Sequence, residues 1–200
     1  MYDLDGMAKQ VKERMNHKRF VHTQGVCYTC GCLAMRYGAD MERAMVAGLL
    51  HDNAKCFSDE KMIAKCEKHH IDIRPIEREY PYLLHGKLGA FYAKKHFGVD
   101  DVEIHRAIMY HTTGRPDMSL IEKIVFVADY MEPNRKPISG LEEIRKMAFM
   151  DLDGCVLQIL ENTISYLNQP DKKRRSMDTQ TLEAYEFYKE ENAYGSKRDG

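Results

Sequence analysis

The sequence lacks any long apolar run, and its strictly apolar stretches, such as 124–128, extend over only a few residues. A helix that spans a bilayer needs about 20 apolar residues, so we expect no transmembrane segment and no membrane partner. The opening residues MYDLD also lack the basic and then apolar pattern of a secretory signal peptide. We therefore expect a protein that stays in the cytoplasm.

The chain has no marked excess of charge of either sign. Its 30 basic and 31 acidic side chains give a formal net charge of -1. A protein that packages nucleic acid needs a broad positive field, which this composition does not provide. We expect no nucleic-acid partner, and any site for an anion must be built from local residues.

The sequence also lacks the second pair of ligands that a structural zinc site needs. The cluster Cys27, Cys30 and Cys32 has the spacing of a structural zinc site, but no further ligand pair at similar spacing follows it. We interpret the six cysteines as reduced thiols of a cytosolic helical protein.

No internal repeat and no Gly/Ser-rich linker divides the 200 residues. A chain of this length can bury about 70% of its unfolded surface, which is enough for a real core. We expect one domain over 1–200, with 169–178 as a loop before a C-terminal helix. Within that loop the basic run Lys172 to Arg175 is expected to be a solvated charge run.

Alternation of period two is hard to find, whereas apolar residues recur at spacings of three and four along most of the chain. This periodicity is typical of amphipathic helices and predicts an all-α protein. With capping residues and prolines as boundaries, the predicted helices are 4–15, 19–37, 41–54, 59–69, 85–97, 101–112, 120–132, 141–150, 151–168 and 179–192.

Ionisable side chains lie on the apolar faces of several of these helices. They are His22, the pair His51 and Asp52 after an almost wholly apolar helix, His111, and Asp129 after an apolar run. Burying a charge costs several kcal/mol unless it is paired or binds a metal. Each residue alone has a structural explanation, but together they match the nitrogen and oxygen ligands of iron, manganese or zinc, and argue against magnesium alone.

The order of His22, the His51-Asp52 pair and Asp129 resembles the H…HD…D signature of the HD-domain metal-dependent phosphohydrolases. The surrounding stretches are more specific, and over about 4–190 the chain is similar to the bacterial symmetrical bis(5'-nucleosyl)-tetraphosphatases. These stretches are AGLLHDNAK at 47–55, LHG at 84–86, HTTGRPDMS at 111–119 and ADYMEPNR at 128–135.

The resemblance implies the all-α HD-domain helical bundle and a metal-dependent enzyme that hydrolyses diadenosine tetraphosphate to two molecules of ADP. It implies iron as the metal, with manganese or another divalent ion as alternatives, and it leaves open whether one or two ions bind. Solvent activated by the metal would be the nucleophile. The partner is then a small molecule, either a dinucleoside polyphosphate or a nucleoside diphosphate.

The resemblance also assigns residues. The metal ligands fall on His22, His51, Asp52 and Asp129, and the catalytic residues on Asp52, which would orient water or accept its proton, and Lys55. Two further histidines, His85 and His111, would hold a second metal or contact phosphate. Contacts to the substrate fall on Arg19, Lys55, Arg115 and Arg135. Glu132 would either orient a metal ligand or be an exposed acid at a helix end.

Other interpretations stay open at this point. The chain could be an HD phosphohydrolase that acts on guanosine tetraphosphate, deoxynucleotides or cyclic dinucleotides, although it lacks the Asp-Gly-Tyr-Pro tetrapeptide of the cyclic-dinucleotide type. It could also be a non-catalytic nucleotide-binding regulatory module. The 13 methionines and 12 tyrosines fit a homodimer interface and equally a core.

Overall fold

A computed structural model of the protein describes residues 1–169 and 177–195, and in these residues it contains only helices and no strand. The all-α prediction is therefore confirmed, and each predicted helix has a counterpart. The α-helices, numbered in chain order, are α1 Leu4–Arg14, α2 His17–Tyr37, α3 Met41–Leu50, α4 Asp59–Lys68, α5 Pro75–Glu79, α6 Leu84–Phe97, α7 Val102–Tyr110, α8 Leu120–Met131, α9 Leu141–Met147, α10 Leu152–Leu167 and α11 Thr179–Gly195.

Local sequence explains most of the helix ends. Among the described residues, an Asp, Asn or Ser side chain accepts a hydrogen bond from the first turn of eight helices, and the predicted capping box of Ser119 and Glu122 is present at the start of α8. Gly38 and Gly98 end α2 and α6 with φ of 71° and 66°, a left-handed conformation that glycine adopts without strain.

The helix predicted over 41–54 is wrong at its C-terminal end, because α3 stops at Leu50. Side chains there take the carbonyls that a longer helix would use: His51 Nδ1 bonds the oxygen of Gly48 at 2.7 Å, and Asn53 Nδ2 bonds that of Leu50 at 2.8 Å. Such side-chain donors compete with the helical backbone pattern. Residues 51–56 consequently form turns.

Helix α5 and a 3-10 helix at Pro81–Leu83 were not predicted. Both are shorter than two helical turns, and each begins at a proline. Proline fits the first helical position, but so short a segment shows no apolar periodicity. The periodic sequence pattern therefore could not reveal them.

The main core lies where α2 packs against α3 and α8, and α7 packs against α6 and α8. It includes many buried aliphatic side chains, among them Leu33, Leu49, Ile108 and Ile124. A smaller cluster joins α4 and α6 through Met62, Cys66, Leu84, Leu88 and Tyr92. No helix of the described ranges is both long and apolar enough to cross a membrane.

Helix α11 docks on the segment that follows α7. Tyr188 Oη accepts a hydrogen bond from the amide of Met118 at 3.1 Å, and Gln180 Nε2 donates to the carbonyl of Gly114 at 3.0 Å. At the start of α11, both carboxylate oxygens of Asp178 accept from Arg74, at 2.9 and 2.7 Å. The predicted C-terminal helix is thus present. Residues 170–176, with the basic run Lys172 to Arg175, lie outside the described residues.

Helices α6 and α7 approach closely at Gly86, where an added Cβ would lie 2.5 Å from the carbonyl oxygen of Met109. We expect Gly86→Ala to lower the free energy of unfolding by about 1–3 kcal/mol, because the backbone of α7 must move. At Gly89, one turn later, the nearest atom would be a side-chain methyl of Ile108 at 3.2 Å. Urea unfolding should therefore show a smaller loss for Gly89→Ala; equal stability of Gly86→Ala and the unmodified protein would contradict the close approach.

Candidate metal centre

Three histidines are oriented by the main chain. His51, His85 and His111 each lie at or beside a helix end, and each ring places Nδ1 against the carbonyl oxygen three residues earlier. The acceptors are Gly48 at 2.7 Å, Tyr82, and Ile108 at 2.7 Å, respectively. Because a carbonyl can only accept, Nδ1 carries the proton and Nε2 keeps a free lone pair. This is the tautomer that binds a metal through Nε2.

The fourth histidine, His22, is oriented by a carboxylate. Its Nδ1 lies 3.1 Å from Oε1 of Glu132, whose side chain is 1% exposed and whose Oε2 accepts from the amide of Asn134 at 2.7 Å. The interpretation of Glu132 as an exposed acid at a helix end is therefore wrong. Glu132 holds the His22 ring with Nε2 directed toward Asp129, at 3.0 Å from Oδ1.

The contact between Glu132 and His22 predicts an effect on metal affinity. In Glu132→Gln, the amide replaces one carboxylate oxygen and places a donor against either the His22 ring or the Asn134 amide. Loss of such a partner typically weakens metal binding about 10–100-fold. Competition with a chelator should show this loss, whereas Glu142→Gln, at an exposed acid of α9, should bind metal normally. Equal affinity in both variants would mean that Glu132 does not support the ligand.

The four Nε2 atoms surround two carboxylates. Asp52 Oδ2 lies 3.4 Å from His51 and 4.0 Å from His22, and Asp52 Oδ1 lies 3.4 Å from His111 and 3.6 Å from His85. Asp129 Oδ1 lies 3.7 Å from His51 Nε2. We call the group His22, His51, Asp52 and Asp129 site one, and the group Asp52, His85 and His111 site two. Asp52 belongs to both sites, with one oxygen facing each.

Burial keeps the imidazoles of site two neutral. It lowers the pKa of His85 to about 3, and the charges of Lys55 and His111 act in the same direction. Burial also lowers the pKa of His111, although the nearby carboxylate of Asp52 opposes the effect. Burial alone would raise the pKa of Asp52, but His51 and Lys55 outweigh it and hold that pKa well below its usual range. Neutral imidazoles and an ionised carboxylate are the protonation states that bind a cation.

The donor atoms of both sites fit a divalent cation. His85 Nε2 and His111 Nε2 lie 3.0 Å apart with lone pairs facing each other. Among the described residues, His51 Nε2 and Asp129 Oδ1 are buried without a hydrogen-bond partner. Buried polar atoms are rarely left without a partner. A cation between these two atoms would be coordinated by their lone pairs. Histidine nitrogen and carboxylate oxygen suit iron, manganese or zinc.

Three of the cationic residues predicted to meet phosphate lie beside these sites. Lys55 Nζ is 2.8 Å from Asp52 Oδ1, Arg135 Nη1 is 3.8 Å from Asp129 Oδ1, and Arg19 donates to the carbonyl of Lys55. Arg19 and Arg135 also line a cleft of about 780 Å³ that reaches His22. Sequence reasoning missed two further cations of this cleft, Lys18 and Lys136, whose only signal was their position next to Arg19 and Arg135.

Arg115 lies in a different environment. Its guanidinium bonds both carboxylate oxygens of Glu122, at 2.7 and 2.5 Å, and the carbonyl of Pro116 at 2.8 Å. Glu122 is buried, so this ion pair anchors the loop before α8 to the helix. We therefore leave Arg115 out of the proposed substrate contacts, because its N–H groups already bond Glu122 and Pro116.

Comparisons with known proteins agree with this arrangement. The HD domain family model matches residues 19–134. The chain is 42% identical over 169 residues to the symmetrical bis(5'-nucleosyl)-tetraphosphatase of Halalkalibacterium halodurans, covering 82% of this chain and 89% of that protein. It is 40% identical over 163 residues to the Bacillus subtilis protein of the same name, covering 80% and 87%.

A solved structure shows the same fold. It is a Clostridium acetobutylicum protein described as a predicted HD superfamily hydrolase involved in NAD metabolism. The two chains superpose with a TM-score of 0.89 at 38% sequence identity, over 96% of this chain and 99% of that one.

Proposed function

The chain belongs to the HD-domain family, and we propose that it is a symmetrical bis(5'-nucleosyl)-tetraphosphatase that hydrolyses diadenosine tetraphosphate to two molecules of ADP. One observation carries the proposal: Asp52 faces His22 and His51 with one carboxylate oxygen and His85 and His111 with the other, beside a cleft lined with cations. A polyphosphate carries the negative charge that such a cleft attracts. The name shared by the curated relatives supplies the substrate.

We propose that sites one and two each hold a divalent cation, with His22, His51, Asp52 and Asp129 around one and Asp52, His85 and His111 around the other. A cation there would lower the pKa of bound water and withdraw charge from a phosphoryl oxygen. We propose iron as the resident metal, with manganese or another divalent ion as alternatives. The mixed nitrogen and oxygen donor set supports this choice.

The side chains of this chain have separate tasks in the proposed reaction. Water adds to one of the two central phosphorus atoms and releases a proton to solvent, the bond from that phosphorus to the central bridging oxygen breaks, and the bridging oxygen leaves on ADP. Asp52 accepts a hydrogen bond and orients the water, since its low pKa makes it a poor base near neutral pH. Lys55, Arg19 and Arg135 stabilise the charge that develops on the phosphate oxygens.

Product analysis tests the proposal. Protein loaded with Fe²⁺ or Mn²⁺ under anaerobic conditions is incubated with diadenosine tetraphosphate, and the nucleotides are separated by chromatography. ADP alone, released over many turnovers, supports the proposal, whereas a mixture of AMP and ATP would contradict symmetrical cleavage. Parallel incubations with guanosine tetraphosphate, deoxynucleotides and cyclic dinucleotides test the rival HD activities. A single stoichiometric release of ADP would indicate a binding module.

We also propose a cytoplasmic location, which the six free cysteines support because thiols remain reduced there. The proposed partner is a small dinucleotide. A homodimer stays a prediction, which sedimentation of the full chain tests directly.

A further inference from the structure

A second cavity, of about 300 Å³, lies beyond the turns that follow Asp52. We call it the distal cavity, and its wall includes Arg14, Asn53, Phe57, Lys65, Tyr92 and His96. The rings of Phe57 and Tyr92 lie 5.9 Å apart, and Lys65 Nζ lies 4.4 Å from the centre of the Phe57 ring. Lys65 thus lies over the face of Phe57, and a cavity that combines aromatic rings with cations suits a nucleoside that carries a phosphate.

The distal cavity lies on the face of α6 that also carries site two. His85, Gly89, Tyr92 and His96 follow one another at spacings of four, three and four residues, so they share one side of the helix. At a rise of about 1.5 Å per residue, Tyr92 is about 10 Å and His96 about 16 Å along the helix axis from His85. The cavity therefore begins within reach of a polyphosphate bound at the metal sites.

A line of cations joins the cleft to the distal cavity. Arg19 lines the cleft and donates to the carbonyl of Lys55, the residue before Cys56. Burial raises the pKa of the Cys56 thiol, and the charges of Arg14, Arg19 and Lys65 oppose that effect. Arg14 and Lys65 line the cavity together with Cys56, and Arg19 contacts the residue that precedes Cys56. Phosphates that cross between the two spaces would meet positive charge along the way.

Asn53, one of the residues that line the cavity, carries an acceptor that has no partner in the described part of the chain. Its Nδ2 donates to the carbonyls of Leu50 and Gly89, at 2.8 and 3.0 Å. Its Oδ1 is buried and has no hydrogen-bond partner among the residues that the structure describes. Adenine and guanine both carry an exocyclic amino group, and such a group could donate to this oxygen. An unpaired acceptor in a cavity wall therefore points to a ligand with N–H donors.

We propose that the distal cavity binds one nucleoside of the dinucleoside tetraphosphate, with its base against the partly buried ring of Phe57, while the other nucleoside lies in the cleft of Arg19 and Arg135. This inference rests on the proposed function. Cleavage in the middle of the phosphate chain requires a nucleoside on each side of the reacting phosphates. The cleft provides a space on the His22 side, and the distal cavity provides one beyond Asn53.

Two substrates that differ by one nucleoside test this proposal. Diadenosine tetraphosphate and adenosine 5'-tetraphosphate have the same phosphate chain, but the second lacks a nucleoside. We expect Phe57→Leu to raise KM for the dinucleotide about tenfold, because one base loses its aromatic contact, with little change in kcat. KM for adenosine 5'-tetraphosphate should change by less than about threefold. An equal effect on both substrates, or no effect on either, would overturn the proposal.

Phe91→Leu is the matched control. Phe91 is also a half-buried ring on the small cluster, with Lys95 Nζ at 5.3 Å from its centre, but it lies outside the distal cavity. It should leave both KM values unchanged. Lys65→Gln tests the cavity without removing a core side chain, and it should again raise KM for the dinucleotide more than for the one-nucleoside substrate.

Calorimetric titration of diadenosine tetraphosphate in the presence of a chelator separates this inference from the proposed function, since it measures binding without turnover. A tenfold higher Kd in Phe57→Leu than in Phe91→Leu supports the distal cavity even if the metal-loaded protein fails to cleave the dinucleotide. Equal Kd values in the two variants would refute the cavity while leaving the hydrolase activity intact.

Discussion

Asp129→Ala is expected to abolish hydrolysis of diadenosine tetraphosphate, with a loss in kcat of at least about a thousandfold, and to remove bound metal. Asp129 faces both His22 and His51, at 3.0 and 3.7 Å, and supplies one of the two negative charges that neutralise a divalent cation. Without it, site one keeps only two imidazoles and the shared Asp52. Elemental analysis and a product assay on the same preparation measure both effects.

Two control variants separate loss of metal from loss of charge in general. Asp153→Ala removes an exposed carboxylate that pairs with Lys123, and it should keep both metal and activity. Lys55→Ala should keep the metal but lower turnover, because Lys55 contacts Asp52 Oδ1 without belonging to either donor set. Hydrolysis at the unmodified rate by purified Asp129→Ala protein would show that the ligand assignment is wrong.

The double variant His85→Ala and His111→Ala is expected to lower the metal content from two ions per chain to one and to reduce kcat about 100-fold. Site two then retains only Asp52 Oδ1, which cannot hold a cation alone, whereas site one keeps all four donors. The size of the loss corresponds to removal of one stabiliser of charge on the reacting phosphate.

His105→Gln is the matched control for this double variant. His105 is on α7 as well, but its Nε2 bonds the carbonyl of Val99 at 2.7 Å, away from the metal sites. It should leave metal content and kcat unchanged. If His85→Ala and His111→Ala together bound as much metal as the unmodified protein, site two would be a phosphate contact instead.

The sequence could predict the all-α class because helical periodicity repeats over ten or more residues in most elements, as in α2 and α8. The ends of the helices were harder to predict. Helix α3 stops early because the side chains of His51 and Asn53 bond carbonyls of its last turn, a local competition that periodicity does not encode.

The site was predicted in part, and the reason differs from residue to residue. The resemblance named the histidines and aspartates, and the fold does bring them together. It could not tell that Arg115 pairs with Glu122, because that contact depends on the path of the loop between them. The sequence also could not predict that Glu132 is buried, because its burial depends on packing against α2, which is distant in the chain.

The docking of α11 has a consequence for the synthesis of the protein. Two side chains of α11 hold the loop that begins at His111. Gln180 bonds the carbonyl of Gly114, and Tyr188 bonds the amide of Met118. During synthesis on the ribosome, the metal-binding residues are added to the chain before these two residues of α11. We therefore expect this loop to gain its contacts with α11 only after α11 has emerged from the ribosome.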